Sequence, residues 1–349
     1  MLLKVLFNKA EFVHRKSFMA EERTFRLCGF GNAIVDIFVR AEDHHLASFA
    51  LEKGTMRLVE EVDQLSLLQN LGGHIETKAT GGSVANSVAA FAQLGGRAAL
   101  MAVVGNDAWG RFYVDECDAM GVTFAGTQVT EGSTGTCLSM VTPDAERTMR
   151  TCLAASGLLG PEHVREDILA RSEWLFVEGY SFTDHERGQR GALKAVKMAK
   201  QRGARVALTC SEAWVIEGNR AALLEAIADA DLMFANEIEA LTLTGAATCE
   251  EAFVRLREMV PGVAVTRGSE GAWIYFGGEE VRVASPAVDA VDATGAGDMF
   301  AGALLYGLTH GYSLEEAARR ACFMASRIIT QMGARFLDGT RNHWDGWEA

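Results

Sequence analysis

Short apolar runs alternate with segments of helical periodicity along most of the chain. The runs are rich in Val, Leu and Phe, and they predict strands at 25–29, 98–104, 173–177, 205–209, 232–234, 263–266 and 273–276. Between the first two, Val84, Val88 and Phe91 share one face of a predicted helix that ends at Gly95. This alternation is typical of an α/β fold in which helices flank a doubly wound, mostly parallel sheet.

Two segments, about 36–60 and 122–152, interrupt the alternation and have the turn residues of β structure. We interpret them as a small β-sheet lid inserted into one domain that spans residues 25–349. Residues 1–24 are expected to form a poorly ordered N-terminal extension. The chain contains only four prolines and no Ser/Gly-rich linker, so nothing in the sequence indicates a second domain.

The charge balance narrows the classes of ligand. The 349 residues include 46 acidic and 33 basic side chains, for a net charge of −13, without a Lys/Arg-rich run. Such a chain lacks the positive surface that nucleic acids and anionic membranes require, so small molecules are the expected partners.

The seven cysteines include no Cys-x-x-Cys pair and predict reduced, mostly buried thiols in a cytoplasmic protein. No apolar stretch reaches the length of about eighteen residues that spans a bilayer.

The most informative motif is the sequence Asp-Ala-Thr-Gly-Ala-Gly-Asp at 292–298, which opens an apolar helix. The backbone N–H groups of Gly295, Ala296 and Gly297 would be unpaired at the helix N-terminus, where their partial positive charge favours an anion. Asp298 lies in the same turn, and its carboxylate can accept a proton from a hydroxyl placed there. Taken alone, the motif is also compatible with a carboxylate that only complements the helix dipole.

A second motif consists of Gly81 and Gly82 before a helix, with Asn86 one turn later. The glycines let a small ligand approach the backbone, and the Asn86 amide offers a donor and an acceptor to adjacent hydroxyls. Asp36 lies where a strand leaves the sheet for the lid, and its carboxylate can accept hydrogen bonds from two sugar hydroxyls. Taken alone, the glycine pair is also compatible with an ordinary connection between a loop and a helix.

Two better-known nucleotide motifs are absent from the sequence. Gly29 and Gly31 begin like a dinucleotide fingerprint, but Ile34 occupies the third glycine position and no helix-like segment follows directly. A nicotinamide-dependent dehydrogenase is therefore the weakest hypothesis. No Gly-Lys pair occurs, which excludes a Walker A loop, and the protein-kinase motifs are missing as well. Any phosphoryl chemistry must use another apparatus.

The motifs resemble those of the PfkB family of ribokinase-like sugar and nucleoside kinases. One family signature is similar to the segment 81–110, and the other is similar to the segment 292–302. Two shorter family elements resemble Asn236-Glu-Ile-Glu239 and Thr266-Arg-Gly268. The likeness covers about residues 25–332 and implies a ribokinase-like fold. Ala293 departs from the family, which usually has Thr, Ser or Pro at that position.

The resemblance implies that the protein transfers a phosphoryl group from ATP to a hydroxymethyl group. Asp298 would be the general base of this reaction. The N–H groups of Gly295, Ala296 and Gly297 would form the anion hole, since a helix N-terminus supplies fixed dipoles for the transferring charge. The ATP-binding residues that the resemblance implies are Asn236, Thr266, Gly268, Gly295 and Gly297.

The resemblance also implies metal ions. Asn236 and Glu239 are similar to the family's elements that organise Mg²⁺, mostly through water. A solvated carboxylate at a helix start is the alternative for Glu239. Asp292 and Thr294 match the family's loop for a monovalent cation, which implies activation by K⁺. Two arginines of the lid are candidates to reach a transferring phosphoryl group when the lid closes, Arg147 and Arg150, for which ordinary surface arginines are the alternative.

The expected acceptor is a nucleoside or a sugar. The residues expected to bind it are Asp36, Gly81, Gly82, Asn86 and Cys137. The uncharged Ser83 is similar to the residue that adenosine kinases have at this position, whereas ribokinases tend to have Lys there. The segment Thr134-Gly-Thr-Cys137 is also similar to an adenosine kinase pattern. A nucleobase requires a largely apolar slot. The candidates for its walls are Phe38, Phe124 and Phe176, for which the ordinary core is the alternative.

We therefore expect phosphorylation of the 5′-hydroxyl of adenosine to give AMP and ADP. The nearest alternative is a ribokinase-like or fructokinase-like sugar kinase on the same fold. A non-catalytic nucleoside-binding or sugar-binding protein is a further alternative, which the retained Asp298 and its glycines disfavour. The sequence is compatible with a monomer or a homodimer.

Overall fold

The computed structural model describes residues 23–72, 75–144, 146–336 and 339–347. Most of the N-terminal extension expected at 1–24 lies outside the described residues. The strands, in chain order, are β1 (Phe25–Phe30), β2 (Ile34–Arg40), β3 (Met56–Leu58), β4 (Thr77–Gly81), β5 (Ala98–Met101), β6 (Val103–Gly105), β7 (Val122–Phe124), β8 (Thr127–Val129), β9 (Thr136–Val141), β10 (Arg147–Cys152), β11 (Ser172–Glu178), β12 (Arg205–Thr209), β13 (Leu232–Asn236), β14 (Val263–Thr266), β15 (Ala272–Phe276) and β16 (Glu279–Val283). The α-helices are α1 (Asp43–Ser48), α2 (Glu61–Asn70), α3 (Ser83–Gln93), α4 (Ala108–Ala119), α5 (Glu166–Leu169), α6 (Gly188–Gln201), α7 (Ala213–Ala228), α8 (Glu237–Thr244), α9 (Cys249–Met259), α10 (Ala296–Thr309), α11 (Leu314–Ile328) and α12 (Thr340–Asp345).

Nine strands form one large sheet in the order β16-β15-β14-β13-β12-β11-β1-β5-β7. β1 is parallel to both of its neighbours, whereas β15 is antiparallel to β14 and β16. Successive side chains of β1 belong to two different apolar cores, with Leu27 in one core and Cys28 in the other. Burial of both faces explains why the strands have continuous apolar runs. The doubly wound, mostly parallel sheet expected from the sequence is confirmed.

The strand predicted at 98–104 is divided in two. β5 stays in the large sheet, but the strand is interrupted at Ala102, whose carbonyl oxygen accepts a hydrogen bond from the Thr127 N–H over 2.9 Å. β6 pairs with β8 in a separate two-stranded ladder. The apolar pattern gives no sign of the interruption, because residues on both sides of it are buried.

Five strands form a small sheet, which we call the lid, in the order β3-β10-β9-β2-β4. The lid differs in three places from the segments expected at 36–60 and 122–152. The first segment includes the helix α1, β7 joins the edge of the large sheet, and β4 lies outside both segments. The sequence of β4 has no apolar alternation, and it forms a strand because it pairs with β2, with Gly81 opposite Ile34.

Helices α3 and α10 bring the two main sequence motifs together. α3 starts directly after β4, and it packs closely against α10. A Cβ on Gly302 in α10 would lie 2.4 Å from the carbonyl oxygen of Ser87 in α3, so the small residue permits this approach. The N-terminal ends of the two helices, which carry the two main sequence motifs, are thereby brought side by side.

Two expectations about the environment of the protein can be compared with the structure. All seven cysteines are free and buried, in agreement with the reduced thiols predicted from the sequence. In the ranges that the structure describes, no helix combines the length and the apolar character needed to cross a membrane.

Candidate active site

The site begins with the turn that leads into α10. Gly295 has a left-handed backbone with φ of 78°, and α10 starts at the next residue. A Cβ on Gly295 would lie 2.4 Å from the Cβ of Ala334, so both the backbone and the packing require glycine here. The first-turn N–H groups of a helix have no partners within it, and Gly295 and Gly297 both line a cavity at this end of α10.

Asp298, in the first turn of α10, is held by the second motif. Its Oδ1 accepts a hydrogen bond from the Ser83 hydroxyl over 2.7 Å, and its Oδ2 accepts one from Asn86 Nδ2 over 2.8 Å. Burial raises the pKa of Asp298, while the hydrogen bonds from Ser83 and Asn86 and the charge of Arg335 act in the opposite direction. The structure thus brings together two motifs that are more than 200 residues apart in the chain.

The glycine pair makes the turn from β4 into α3. Gly82 has φ of 102°, and a Cβ there would lie 2.0 Å from the carbonyl oxygen of Asn32. A Cβ on Gly81 would lie 2.5 Å from Oδ2 of Asp36. Any side chain at either position would displace the neighbouring polar atom. The pair therefore keeps the backbone next to the Asp36 carboxylate.

Asp36 lies in the middle of β2, opposite Ala79 of β4 and Cys137 of β9. Burial raises its pKa to about 6, although the positive charges of Arg335 and Arg147 oppose the shift. Cys137 is buried, and its thiol hydrogen-bonds to Asp36. Cys137 is not among the residues that line the neighbouring cavity.

A cavity of about 670 Å³ opens beside Asp36, between the lid and the segment 332–335. Its polar lining includes Asp36, Thr80 and Arg335. Its apolar lining includes Phe38, Ala79, Val141, Pro143, Met332 and Ala334. We call it the acceptor cavity. Its size is that of a small-molecule pocket.

Of the three phenylalanines proposed as walls, only one lines the acceptor cavity. Phe38 does so, as expected. Phe176 is fully buried in the large core, where its ring lies 5.6 Å from that of Phe234. Phe124 packs against Tyr113, with 6.3 Å between the ring centres. The expectation for these two residues is wrong because both belong to strands of the large sheet.

A second cavity of about 460 Å³ lies at the carboxyl ends of the central strands. Its lining includes Asp298, Gly295 and Gly297 from the α10 turn, together with Asn236, Glu239 and Thr266. We call it the phosphate-side cavity. A smaller cavity of about 110 Å³ shares Thr266 and Gly297 with it and is also lined by Gly268. The residues expected to bind ATP therefore line two neighbouring cavities, which agrees with the rule that α/β sheets bind ligands at this edge.

Asn236 and Glu239 form a reciprocal cap at the start of α8. The Asn236 Oδ1 accepts a hydrogen bond from the Glu239 N–H over 2.8 Å, and Glu239 Oε2 accepts one from the Asn236 N–H over 3.1 Å. The Asn236 amide also donates to Glu239 Oε1 over 2.7 Å. Burial raises the pKa of Glu239 to about 7. Within the described residues, no group of three or more His, Cys, Asp or Glu side chains is arranged to hold a metal ion by itself.

Comparison with known proteins identifies the family. The profile described as "pfkB family carbohydrate kinase" matches residues 56–340. The chain belongs to this family. A probable sugar kinase from Rhizobium etli CFN 42 is 34% identical, with a TM-score of 0.83 over 92% of this chain and 97% of that chain. The adenosine kinase from Sinorhizobium meliloti is also 34% identical, with a TM-score of 0.82 over 91% of this chain and 98% of that chain.

One curated relative is a ribokinase rather than an adenosine kinase. A ribokinase from Mus musculus is 27% identical over 288 residues, which cover 76% of this chain and 83% of the mouse protein. The protein is therefore a sugar or nucleoside kinase of the pfkB family. The ribokinase-like fold expected from the sequence is confirmed.

The kinase has an ion pair in the loop that was expected to bind K⁺. Asp292 and Thr294 both contact the guanidinium of Arg147, which extends from β10 of the lid. Arg150, the other arginine considered for the lid, instead donates to the carbonyl oxygen of Thr55 over 2.9 Å. The two lid arginines therefore have different surroundings, and only Arg147 reaches the α10 turn.

Two buried charged residues of the site were missed in the sequence. Arg335 donates from Nε to Asn86 Oδ1 over 2.8 Å and also contacts Thr80. Glu178, at the end of β11, accepts hydrogen bonds from the N–H groups of Asn32 (2.8 Å) and Val84 (2.9 Å). Neither residue belongs to a motif. A charged residue at the end of an apolar strand was the only available signal for Glu178.

Proposed function

We propose that the protein is an ATP-dependent kinase that phosphorylates the 5′-hydroxyl of adenosine. The observation that carries the proposal is the connection of Asp298 to both cavities. Its carboxylate lines the phosphate-side cavity, and through Asn86 it is connected to Arg335, which lines the acceptor cavity. A hydroxyl that projects from the acceptor cavity toward α10 would meet a base and a helix N-terminus together.

The reaction then follows from these groups. Asp298 accepts the proton of the acceptor hydroxyl, and the freed oxygen forms a bond to the γ-phosphorus of ATP as the bond to ADP breaks. The N–H groups at Gly295, Ala296 and Gly297 stabilise the charge on the transferring group. Ala296 N–H also donates to the carbonyl oxygen of Ala293 over 3.3 Å, so the Gly297 N–H is more available to the transferring group than the Ala296 N–H is. The raised pKa of Asp298 makes it a better proton acceptor once it is ionised.

The phosphate-side cavity suits ATP with Mg²⁺. Mg²⁺ keeps several water ligands and is usually bound through one or two carboxylates together with substrate phosphates. Glu239 supplies one buried carboxylate in this cavity, and Asn236 lies beside it, so the donor set fits an ion held largely by phosphates and water. When bound, Mg²⁺ would supply charge neutralisation for the phosphates. Thr266, which lines both the phosphate-side cavity and the smaller cavity, and Gly268, which lines the smaller one, would contact the nucleotide.

The lining of the acceptor cavity favours a nucleoside. Most of it is apolar, including Phe38, Val141 and Met332, and a purine ring requires such a slot. Asp36, next to the glycine pair, is suited to accept hydrogen bonds from two ribose hydroxyls. The likeness to the adenosine kinase from Sinorhizobium meliloti supports the same acceptor. The polar groups Asp36, Thr80 and Arg335 would also suit a free sugar, which the likeness to a mouse ribokinase makes the competing hypothesis.

The test is ADP release from Mg·ATP with adenosine, other nucleosides, ribose, fructose and fructose phosphates. We expect adenosine to give the highest kcat/KM, and Asp298→Asn to lower kcat by about a hundredfold or more while the protein stays folded. Preference for a sugar would replace the proposed acceptor but keep the catalytic role of Asp298. Absence of turnover with every acceptor, combined with tight adenosine binding by calorimetry, would favour a binding protein instead.

A further inference from the structure

The ion pair between Arg147 and Asp292 joins the lid to the α10 turn. Arg147 is the first residue of β10, and 8% of its side chain is exposed, while 4% of the Asp292 side chain is exposed. Its Nη1 donates to Oδ2 of Asp292 and, over 3.0 Å, to the hydroxyl of Thr294. The same guanidinium lies 4.7 Å from the centre of the Phe38 ring, at the wall of the acceptor cavity. One buried cation thus contacts both side chains that were expected to bind K⁺.

The Asp292 carboxylate is surrounded by hydrogen-bond donors. Besides Arg147, its Oδ2 accepts from the Gly333 N–H over 2.8 Å, and its Oδ1 accepts from the Thr294 N–H over 3.0 Å. The carboxylate therefore already has three hydrogen-bond donors, and one of them is a positively charged guanidinium.

A monovalent cation does not fit this arrangement. K⁺ requires oxygen atoms with free lone pairs, whereas Oδ2 of Asp292 and the hydroxyl oxygen of Thr294 accept from the Arg147 guanidinium, and Oδ1 of Asp292 accepts from the Thr294 N–H. A second positive charge within a few ångströms of a buried guanidinium would be repelled, because the low dielectric of the interior weakens screening. The expectation that these two residues bind K⁺ therefore disagrees with the contacts of Arg147.

We propose that the guanidinium of Arg147 takes the place of a monovalent cation at the Asp292 loop, so that the kinase needs no K⁺. The turn that forms the anion hole is then held by a charge from the lid, instead of by an ion from solution. The position and the charge of this turn therefore do not depend on which monovalent salt is present. The proposal deepens the proposed function, but only its rate measurement rests on that function.

The chain offers a matched control on the same strand. Arg150 is also buried, and it donates to the carbonyl oxygens of Thr55 and Met149 over 2.9 and 2.7 Å. It makes no contact with Asp292 among the described residues. Arg147→Met and Arg150→Met therefore both remove one buried arginine from β10, but only the first removes the cation from the Asp292 loop.

The experiment compares K⁺ with tetramethylammonium at constant ionic strength, in the full-length protein without substrates and during turnover. For the wild type we expect the rate to differ by less than about twofold between the two salts, and the Tm to be the same. For Arg147→Met we expect K⁺ to raise both the Tm and the rate, because an ion that binds only the folded state stabilises it. Arg150→Met should have the same Tm and the same rate in the two salts. The Tm measurement is independent of the acceptor, so it stands even if adenosine is not the substrate.

Activation of the wild type by K⁺ of about tenfold or more would overturn the proposal, whatever the variants do. A folded Arg147→Met whose Tm and rate ignore K⁺ would overturn it as well, since the loop would then need no cation. If Arg147→Met does not fold, Arg147→Gln replaces it in the same comparison. The wild-type measurement remains decisive in either case.

Discussion

Arg335 fixes the orientation of the Asn86 amide by donating from Nε to its Oδ1 over 2.8 Å. The opposite end of the same amide donates from Nδ2 to Asp298 over 2.8 Å. An amide that turned over would offer its oxygen to the Asp298 carboxylate, which is unfavourable, so the arginine maintains the productive orientation. Arg335 is thereby a positioning residue that acts on the proposed base through Asn86.

We expect Arg335→Met to raise the pKa of Asp298, because the variant loses a positive charge and a fixed hydrogen bond that both lower it. A base with a higher pKa is ionised only at higher pH. The acid limb of the kcat profile should therefore move up by about one pH unit. The measurement is kcat against pH with saturating adenosine or the best acceptor found.

Arg341→Met is the control for this change. Arg341 is more exposed than Arg335, and it donates to the carbonyl oxygen of Leu94 and to the Tyr306 hydroxyl, away from Asp298. Its loss should leave the shape of the profile unchanged. If the profile of Arg335→Met keeps its shape and is only scaled down, the arginine is structural and has no effect on the proposed base.

The walls of the acceptor cavity give a second prediction. Phe38→Ala removes an apolar wall, so we expect the KM for adenosine to rise by about tenfold, the scale of losing an aromatic contact. Phe124→Ala removes a ring of similar size that packs in the large domain, and it should lower the Tm without changing KM. Steady-state kinetics and thermal unfolding of both variants test this. If the two substitutions changed KM equally, the purine ring would not lie against Phe38.

The turn at Gly82 gives a third prediction, on stability. Alanine there combines a positive φ with a clash against the Asn32 carbonyl oxygen, so we expect a loss of about 3 kcal/mol in the free energy of unfolding. Gly121 also has a positive φ of 76°, but a Cβ there would meet nothing within 4 Å. Gly121→Ala should therefore cost only the backbone strain, about 1 kcal/mol. Denaturant unfolding that gives the same loss for both would show that the turn can move away from Asn32.

The sequence predicted the large sheet and pointed to the residues around Asp298, for physical reasons. Strands buried on both faces have distinctive apolar runs, and the residues around Asp298 are contiguous in the chain. The glycine pair was informative for the same reason, since Gly82 meets a backbone requirement that few other residues can meet. These features depend on local pattern, and a local pattern is visible in one sequence.

The features that the sequence did not predict depend on long-range pairing. Arg335 contacts Asn86 across 249 positions, and Arg147 contacts Asp292 across 145. No periodicity indicates which of the arginines in a chain will meet a particular carboxylate. β4 is a strand only because β2 is beside it, and Phe176 was expected at a ligand because a buried aromatic residue looks the same in a core and in a slot.

The buried carboxylates give a last prediction, on stability against pH. Burial raises the pKa of Glu178 to about 7, against hydrogen bonds from Val84 and Asn32, and in the unfolded chain its pKa is about 4.3. Between these values the folded state binds more protons than the unfolded state, so stability falls as pH rises through this window. Glu239 and Asp36, with pKa values raised to about 7 and about 6, act in the same direction. We therefore expect the Tm to decrease from pH 5 to pH 7.5.

The contribution of Glu178 can be separated with one substitution. Glu178→Gln cannot ionise, so the decrease in Tm between pH 5 and pH 7.5 should be smaller in this variant than in the wild type. Glu258→Gln changes an exposed glutamate on α9 and should keep the wild-type slope. Thermal unfolding of the three proteins at matched ionic strength is the measurement. A Glu178→Gln slope equal to that of the wild type would mean that Glu178 is ionised throughout this range, held by the two N–H donors of Asn32 and Val84.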